Sequence, residues 1–209
     1  MRVDYPGEVL DVGSLASTWH EQLARWLAEA DAAGVVEANA MVLATVDEQG
    51  VPTSRTVLCK GLDERGLVFY TNYTSAKSHA LRATRRASVT FPWYPLHRQA
   101  HVRGTVELVS TAETKAYWAS RPRGAQLGAW ASAQSSTVQS RQALDHALVA
   151  VTRRFADVEA IPAPAHWGGW RILPERVEFW QGRADRMHDR LAFDLDGLDR
   201  SWRVRRLAP

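Results

Sequence analysis

Basic residues stand beside hydroxyl and amide side chains at several points along this sequence. Lys77 follows Ser75 at the predicted start of a helix, and Arg55 and Lys60 bracket a predicted strand. The first N–H groups of a helix have no intrahelical acceptor, and the helix dipole favours negative charge there. A serine and a lysine at this position are therefore typical of a phosphate-binding site. Further basic and amide groups occur at Arg98-Gln99, Arg121-Pro122-Arg123 and Gln134-Ser135-Ser136.

Each of these residues, taken alone, is more typical of a surface charge or a helix cap than of a binding site. Their number makes a binding role competitive, and two separate groups of this kind would suit two phosphates. The net charge of +3 agrees with an anionic partner. It does not distinguish between nucleic acid, a membrane surface and small phosphates.

The segment 179–190 reads FWQGRADRMHDR and carries three arginines and a histidine. If the chain is extended from Arg186, then Arg186, His188 and Arg190 share one face, because alternate side chains of a strand point the same way. Such a face is typical either of a solvated edge strand whose charges oppose aggregation, or of a surface that binds an anion. The residues alone leave both interpretations open.

Several common catalytic and metal-binding motifs do not occur in the sequence. It contains no GxGxxG after a strand, no Walker loop, no HExxH, no CxxC and no GxSxG. His97 and His101 are four residues apart, but they lie in a predicted strand, where this spacing does not resemble a helical zinc pair. We therefore expect no metal site.

Composition favours a globular protein in a reducing compartment. The 209 residues are 45% hydrophobic, and the single cysteine, Cys59, excludes an intrachain disulfide framework. We expect Cys59 to be a buried small apolar residue. No apolar run approaches the roughly 18 residues of a membrane span, and the first residues lack the apolar region of a signal peptide. We therefore expect a cytoplasmic protein without a membrane partner.

A helix is predicted over 18–33, because Trp19, Leu23, Trp26 and Ala30 recur at three- and four-residue spacing. Gly34 would end it. Three β-rich runs over 40–46, 51–60 and 66–72 predict a meander whose strands are covered on both faces. Further strands are predicted over 87–94, 98–110 and 167–182, and further helices over 75–86, 111–120 and 138–157.

The C-terminal segment predicts a hairpin that turns at Asp196-Gly197. Taken together, the elements indicate a mainly β fold with peripheral helices (α+β), built on a barrel-like sheet and not on a βαβ series. Residues 1–17 contain Pro6, Gly7 and Gly13, which predicts a flexible N-terminal arm. Residues 18–209 would form a single domain.

Motifs along nearly the whole chain resemble one family. In order they are RTVLCK (55–60), FYTN (69–72), TSAK (74–77), FPW (91–93), RQ (98–99), YWASRPRGAQLGAW (117–130), QSS (134–136), WGG (167–169) and EFWQGRxxRxHDR (178–190). This series resembles the pyridoxine/pyridoxamine 5′-phosphate oxidases, which are FMN enzymes of vitamin B6 metabolism. The resemblance implies an FMN-binding split β-barrel and a homodimer with FMN at the subunit interface. It also implies oxidation of pyridoxamine or pyridoxine 5′-phosphate to pyridoxal 5′-phosphate, with O₂ as electron acceptor and H₂O₂ as product.

The resemblance also assigns roles to individual residues. The positions that match FMN-binding positions are Arg55, Thr56, Val57, Leu58, Cys59, Lys60, Tyr70, Thr71, Lys77, Gln99, Gln134, Ser135, Trp180 and Arg190. The positions that match substrate-binding positions are Arg2, Tyr5, Lys60, Tyr117, Arg121, Arg186 and His188. Of these, Arg186 and His188 would face the pyridine ring and act in catalysis, and Arg2 and Tyr5 would close over the substrate. Arg183 matches none of these positions and is predicted to be a surface charge.

Two positions depart from the family pattern. Ala125 stands where a serine can bind the substrate phosphate, and Ala76 stands where an arginine can assist FMN binding. A neutral hydrogen bond contributes roughly 0.5 to 1.5 kcal/mol, so we expect weaker ligand binding and not a loss of activity.

Three alternatives to the oxidase remain. A non-catalytic flavin or pyridoxal phosphate binder would not need the substrate-binding residues, and a deazaflavin reductase should lack RxHDR. A role in nucleic-acid binding would rely on the arginines of 200–206, which form no recognisable module.

Overall fold

The computed structural model describes Tyr5 and residues 9–209. In chain order its helices and strands are α1 (Trp19–Ala32), β1 (Ala40–Val46), β2 (Pro52–Leu58), β3 (Gly61–Asp63), β4 (Gly66–Asn72), α2 (Ala76–Thr84), β5 (Arg86–Trp93), β6 (Arg98–Leu108), α3 (Thr111–Ser120), α4 (Arg123–Ala131), α5 (Arg141–Arg154), β7 (Trp167–Gln181), β8 (Asp189–Leu195) and β9 (Trp202–Arg206). The predicted mainly β fold with peripheral helices is confirmed. None of the helices in the described part of the chain is long and apolar enough to cross a membrane.

The strands form one antiparallel sheet in the order β2-β1-β5-β6-β7-β4-β3, and β8 and β9 extend it from β7. The 15-residue β7 organises this arrangement. Its first part pairs with β4, its last part pairs with β8, and β6 runs along its other edge. The sheet therefore divides at β7 and curls into a half-barrel. A register shift between Arg103 and Gly104 lies opposite Pro174, which has no N–H to donate to a ladder.

The core lies inside the curled sheet, under α1. Phe69, Phe91, Ile172 and Phe179 are fully buried there. The predicted helix over 18–33 is confirmed as α1, which begins after Thr18, where the threonine hydroxyl accepts the N–H of Glu21. This helix buries the apolar stripe that its spacing predicts. A second cluster, which includes Trp118, Leu127 and Trp167, lies under α3, α4 and α5.

The predicted meander is wrong in its strand order. β2 pairs with β1, whereas β4 lies between β3 and β7. The three-residue β3 follows β2 and pairs with β4. In a simple meander, β2 would pair with β4 at this edge. The prediction that these strands are covered on both faces is also wrong for β2, most of which is exposed.

The segment from Arg186 is not extended, so the condition for a shared face is not met. Ala184–Arg186 forms a short 3₁₀ turn, and Asp185 and Arg186 have positive φ angles of 55° and 60°. The strand begins only at Asp189. Arg186, His188 and Arg190 therefore do not share the face of one strand. The predicted hairpin that follows is confirmed as β8 and β9, and the turn between them contains Asp196 and Gly197.

Candidate active site

A cavity of about 540 Å³ opens beside β2, β4 and the start of α2, with α3 and α4 on its other side. Eleven of the sequence-predicted site residues line it. They are Arg55, Thr56, Val57, Leu58, Lys60, Tyr70, Thr71, Lys77, Tyr117, Arg121 and Gln134, and Pro122 and Ala125 complete the lining. The structure therefore brings together residues from predicted FMN-binding and predicted substrate-binding positions. Four of the lining residues are cationic, Arg55, Lys60, Lys77 and Arg121, and none of the described lining residues is a carboxylate.

Lys77 lies in the first turn of α2, and its side chain points back toward β4. The residue is 8% exposed, and its Nζ donates to Gln134 Oε1 at 3.0 Å and to Thr71 Oγ1 at 3.2 Å. Burial lowers the pKa of Lys77 from its ordinary value, and the positive charge of Arg55 lowers it further. The ammonium group is thus held by neutral acceptors beside another cation.

Ser75 occupies the N-cap position of α2, as the sequence predicts, but its side chain does not cap the helix. Its hydroxyl lies 3.4 Å from both Lys77 Nζ and Ser78 Oγ. The hydroxyl therefore faces the buried polar group around Lys77 rather than the backbone N–H groups of the first turn.

Arg55 projects from β2 toward β1. Its guanidinium donates to Thr45 Oγ1 at 2.7 Å and to Thr53 Oγ1 at 2.6 Å. Burial lowers the pKa of Arg55. Two threonine hydroxyls orient this cation without neutralising its charge.

Arg121 lies at the end of α3, with its guanidinium carbon 4.7 Å from the centre of the Trp167 ring. One terminal nitrogen donates to the Ala125 carbonyl at 2.9 Å. The Nε atom is buried and has no hydrogen-bond partner among the residues that the structure describes. Burial lowers the pKa of Arg121. An unpaired buried donor is unfavourable, so this geometry favours an anionic ligand that accepts from Arg121.

Tyr117 stacks on Tyr70, with ring centres 3.9 Å apart and an angle of 16° between the planes. Trp167 lies parallel to both rings. The stack joins α3 to β4 and β7 and fixes the wall of the cavity next to Arg121. The Gly168-Gly169 pair permits this packing, because a Cβ at Gly169 would lie 2.8 Å from the Tyr70 ring.

A second cavity of about 440 Å³ is lined by Gln99 and Trp180, two of the predicted FMN-binding residues, and by Tyr5. His97 and Arg98 also line it. The His188 ring lies 4.7 Å from the Trp180 ring and 5.9 Å from the Tyr5 ring, measured between centres. These predicted residues therefore cluster in a different part of the folded chain from Arg55 and Lys77.

His188 is oriented by its neighbours in the loop. Its Nδ1 accepts the backbone N–H of Arg183 at 3.1 Å. In a neutral ring with this hydrogen bond the proton is on Nε2, which makes Nε2 a donor. The side chain of Arg183 forms an ion pair with Asp189 at 3.8 Å. The prediction that Arg183 is a plain surface charge is therefore incomplete.

Arg190 lies opposite Trp180 in the pairing of β7 and β8. Its Nε donates to Glu178 Oε1 at 2.7 Å, and Nη1 donates to the Ala208 carbonyl at 2.8 Å. Hydrogen bonding to Glu178 raises the pKa of Arg190. Glu178 was not predicted as a site residue, although its position two residues before Trp180 on a strand places both on one face.

Five of the predicted site residues that the structure describes lie outside both cavity linings, namely His188, Arg190, Cys59, Ser135 and Arg186. Cys59 is buried, its thiol donates to the Gly61 carbonyl at 3.3 Å, and burial raises its pKa to about 11. This confirms the prediction of a buried small residue. Ser135 is exposed, with a φ angle of 73°, and Arg186 is exposed in the 3₁₀ turn. Arg2 lies outside the described residues.

Comparison with known proteins identifies the family. The family model described as pyridoxamine 5′-phosphate oxidase matches residues 27–155. The chain belongs to this family. A second model, described as the pyridoxine 5′-phosphate oxidase C-terminal dimerisation region, matches residues 167–209. This oxidase family is a family of oxidoreductases, and the two matches together span most of the chain.

Two relatives named pyridoxine/pyridoxamine 5′-phosphate oxidase are similar over the whole chain. The protein from Saccharopolyspora erythraea is 63% identical over 210 residues, covering 100% of this chain and 94% of that protein. The protein from Mycobacterium sp. (strain JLS) is 53% identical over 216 residues, covering 100% of this chain and 100% of that protein. The oxidase family is therefore supported by full-length relatives.

Two solved structures share the split β-barrel fold of this family. PhzG from Burkholderia lata, in complex with tetrahydrophenazine-1-carboxylic acid, superposes with a TM-score of 0.89 at 32% identity, covering 97% of this chain and 99% of that one. A pyridoxamine 5′-phosphate oxidase-related, FMN-binding protein from Nostoc punctiforme has a TM-score of 0.73 at 20% identity, covering 94% and 100%. The predicted split β-barrel is confirmed.

Proposed function

We propose that the protein is an FMN-dependent oxidase that converts pyridoxamine 5′-phosphate, pyridoxine 5′-phosphate or both to pyridoxal 5′-phosphate, with O₂ as electron acceptor and H₂O₂ as product. The observation that carries this proposal is the 540 Å³ cavity. Its described lining contains four cations and no carboxylate, and its lining residues resemble both the FMN and the substrate positions of the family. The full-length relatives with the oxidase name support the same activity.

Arg55 and Lys77 would hold the phosphate of FMN. Both cations are desolvated, both are held by neutral acceptors, and Lys77 lies in the first turn of α2. A phosphate would supply the negative charge that this part of the cavity lacks, and α2 would add its dipole. When bound, FMN would supply the hydride-accepting atom and the reactivity toward O₂.

Lys60, Tyr117 and Arg121 would hold the phosphate of the substrate. They line the same cavity, and the buried Nε of Arg121 is a donor that an anion could satisfy. The guanidinium can bind phosphate through two nitrogens, and its stacking on Trp167 orients its plane. Arg121 would thus fix the distance between the substrate phosphate and the reacting end of the substrate.

Arg186 and His188 would act at the pyridine ring. The Nε2 proton that the Arg183 hydrogen bond places on His188 can be donated to a ring hydroxyl of the substrate. Arg186 is exposed and belongs to a short turn, so its side chain is accessible to a ligand. Both residues would orient the substrate and exclude water from its reacting face.

A homodimer would complete the site. Gln99, Trp180 and His188 cluster around the second cavity, away from the cations of the first. The C-terminal region that matches a dimerisation model contains Trp180, His188 and Arg190. β2, which carries Arg55, is an end strand of the sheet and is largely exposed. We propose that a second copy brings its C-terminal cluster to this cavity.

The alternative is a flavin or pyridoxal phosphate binder without catalytic activity. Retention of Tyr117 and Arg121 in the cavity argues against it, because a flavin binder needs no second phosphate site. The test is to load purified protein with FMN, add each phosphate substrate in air, and measure pyridoxal 5′-phosphate and H₂O₂. Equal, saturable formation of both products supports the oxidase. Binding of substrate without either product supports the binder.

A further inference from the structure

The carboxylate of Asp189 joins three segments that are distant in sequence. Its Oδ1 accepts Nη1 of Arg206 at 2.8 Å, and its Oδ2 accepts the backbone N–H of Leu10 at 3.1 Å. Arg183 lies 3.8 Å from the same Oδ2. The carboxylate is only 16% exposed, so both oxygens have polar partners within a partly buried contact. Asp189 is therefore a junction between the N-terminal segment, the loop 183–188 and β9.

Arg206 closes the other side of this junction. Its Nη2 donates to Asp11 Oδ1 at 2.7 Å and to the Leu10 carbonyl at 3.2 Å. Leu10 itself is buried. Asp11 and Asp189 raise the pKa of Arg206, and Arg206 together with the N–H of Val12 lowers the pKa of Asp11. The backbone of Leu10 is thus held from both sides, by a carboxylate on its N–H and a guanidinium on its carbonyl.

The junction lies next to two groups of predicted substrate-binding residues. Asp189 directly follows His188, and Leu10 lies five residues after Tyr5. The ring of Tyr5 lies 4.4 Å from that of His97 and 5.9 Å from that of His188, measured between centres. The junction therefore anchors the chain close in sequence to both partners of the Tyr5–His188 contact. Ion pairs on an exposed surface contribute little, but this partly buried one joins two segments that lie outside the helices and strands of the sheet.

We propose that Asp189 and Arg206 are positioning residues that hold the N-terminal segment against the His188 loop, so that Tyr5 and His188 bind the substrate together. This inference rests on the proposed function only where it is tested by KM for the substrate. Neither residue touches the reacting atoms. They act through Leu10 on one side and through the loop 183–188 on the other.

The test uses Asp189→Asn and Arg206→Gln in the FMN-loaded full-length protein. Each removes the charge on one side of the contact, and Asp189→Asn also keeps the size of the side chain. Losing a hydrogen bond between charged groups corresponds to about tenfold or more in an equilibrium constant. We expect KM for pyridoxamine 5′-phosphate to rise about tenfold, with kcat changed less and the FMN dissociation constant unchanged. Arg206→Lys keeps the charge and should restore part of the affinity.

The matched control is Arg203→Gln. Arg203 lies on the same strand and forms an ion pair with Asp196 at 2.9 Å, at the far end of the hairpin. If Arg203→Gln raises KM as much as Arg206→Gln does, the effect is general to the hairpin and the proposal fails. An unchanged KM in both Asp189→Asn and Arg206→Gln also overturns it.

Amide hydrogen exchange provides a second readout that needs no substrate. The Leu10 amide should exchange at least tenfold faster in Asp189→Asn than in the wild type, and at the wild-type rate in Arg203→Gln. Unchanged protection of Leu10 in Asp189→Asn would refute the junction. If the wild type itself has no oxidase activity, the proposed function fails, whereas this exchange experiment still tests the junction.

Discussion

Lys77 Nζ lies 3.0 Å from the amide oxygen of Gln134, which is 57 residues further along the chain. The same amide oxygen accepts the hydroxyl of Thr71 at 2.8 Å. A neutral oxygen can orient an ammonium group and leave its positive charge unbalanced. A carboxylate would orient the group and also neutralise its charge. The site therefore keeps a desolvated positive charge in place for an anion. We regard this arrangement as the centre of the proposed FMN phosphate site.

Replacing Lys77 should weaken FMN binding without lowering the stability of the FMN-free protein. We expect Lys77→Met to weaken FMN binding by about 10- to 100-fold, because a charge-assisted hydrogen bond contributes roughly 1.5 to 3 kcal/mol. The melting temperature of the FMN-free protein should stay the same or rise, since the variant removes a buried charge that no carboxylate balances. Fluorescence titration and thermal unfolding measure the two effects. Lys115→Met, an exposed lysine of α3, serves as the control and should change neither.

The lowered pKa of Lys77 predicts opposite pH trends for binding and for stability. Its pKa in the FMN-free protein is lower than in the unfolded chain, so the folded protein gains stability as pH rises between these two values. A bound phosphate favours the protonated ammonium and raises its pKa. FMN affinity should therefore fall as pH rises through the pKa of the free protein. The comparison of wild type with Lys77→Met isolates this lysine, and identical pH profiles of FMN affinity would contradict the prediction.

Ala125 offers a prediction of improved binding. Ala125 lines the cavity, and its carbonyl holds Arg121. We expect Ala125→Ser to lower KM for the phosphate substrate about two- to tenfold, since it adds one neutral hydrogen bond of roughly 0.5 to 1.5 kcal/mol. Steady-state kinetics with pyridoxamine 5′-phosphate measure the change. Ala119→Ser, on the exposed face of α3, should leave KM unaltered. An equal change of KM in both variants would contradict a hydrogen bond from the introduced serine hydroxyl to the substrate phosphate.

The three arginines of the segment 183–190 should give three different results. Arg186→Ala should lower kcat/KM at least tenfold without releasing FMN, because we assign Arg186 to the substrate. Arg190→Ala should weaken FMN binding at least tenfold. Arg183→Ala should do neither, because the hydrogen bond to His188 comes from the Arg183 backbone N–H, which alanine retains. The Arg183 Nε atom lies 3.8 Å from Asp189 Oδ2, beyond hydrogen-bond distance, so loss of the side chain should leave the junction at Asp189 in place. Parallel FMN titration and kinetics of the three variants distinguish these roles. Loss of FMN from Arg186→Ala would show that the assignment is wrong.

Local signals in the sequence predicted most of the elements. Ser110 and Glu113 form the expected capping box, and α3 runs from Thr111 to Ser120 as predicted. The helix α4 was not predicted, because Pro122, Gly124 and Gly128 are typical of a loop. The turn at Arg186 was also missed, since an arginine with positive φ has no simple sequence signal.

The candidate site was predictable only in part. The family motifs identified the residues that line the first cavity, and the structure places eleven of them together. No sequence pattern indicated that Gln134 would hold Lys77, because the contact depends on how a loop folds over β4. The roles of Glu178 and Asp189 were hidden for a similar reason. Each acts through a partner on another segment, Arg190 in one case and Leu10 and Arg206 in the other.

The most direct test of the central claim is the absorbance spectrum of the FMN-loaded protein when pyridoxamine 5′-phosphate is added without oxygen. The account predicts that the yellow flavin absorbance bleaches in proportion to the pyridoxal 5′-phosphate formed, and that admitting air restores it. A flavin spectrum that stays oxidised at saturating substrate would contradict the proposed oxidase activity.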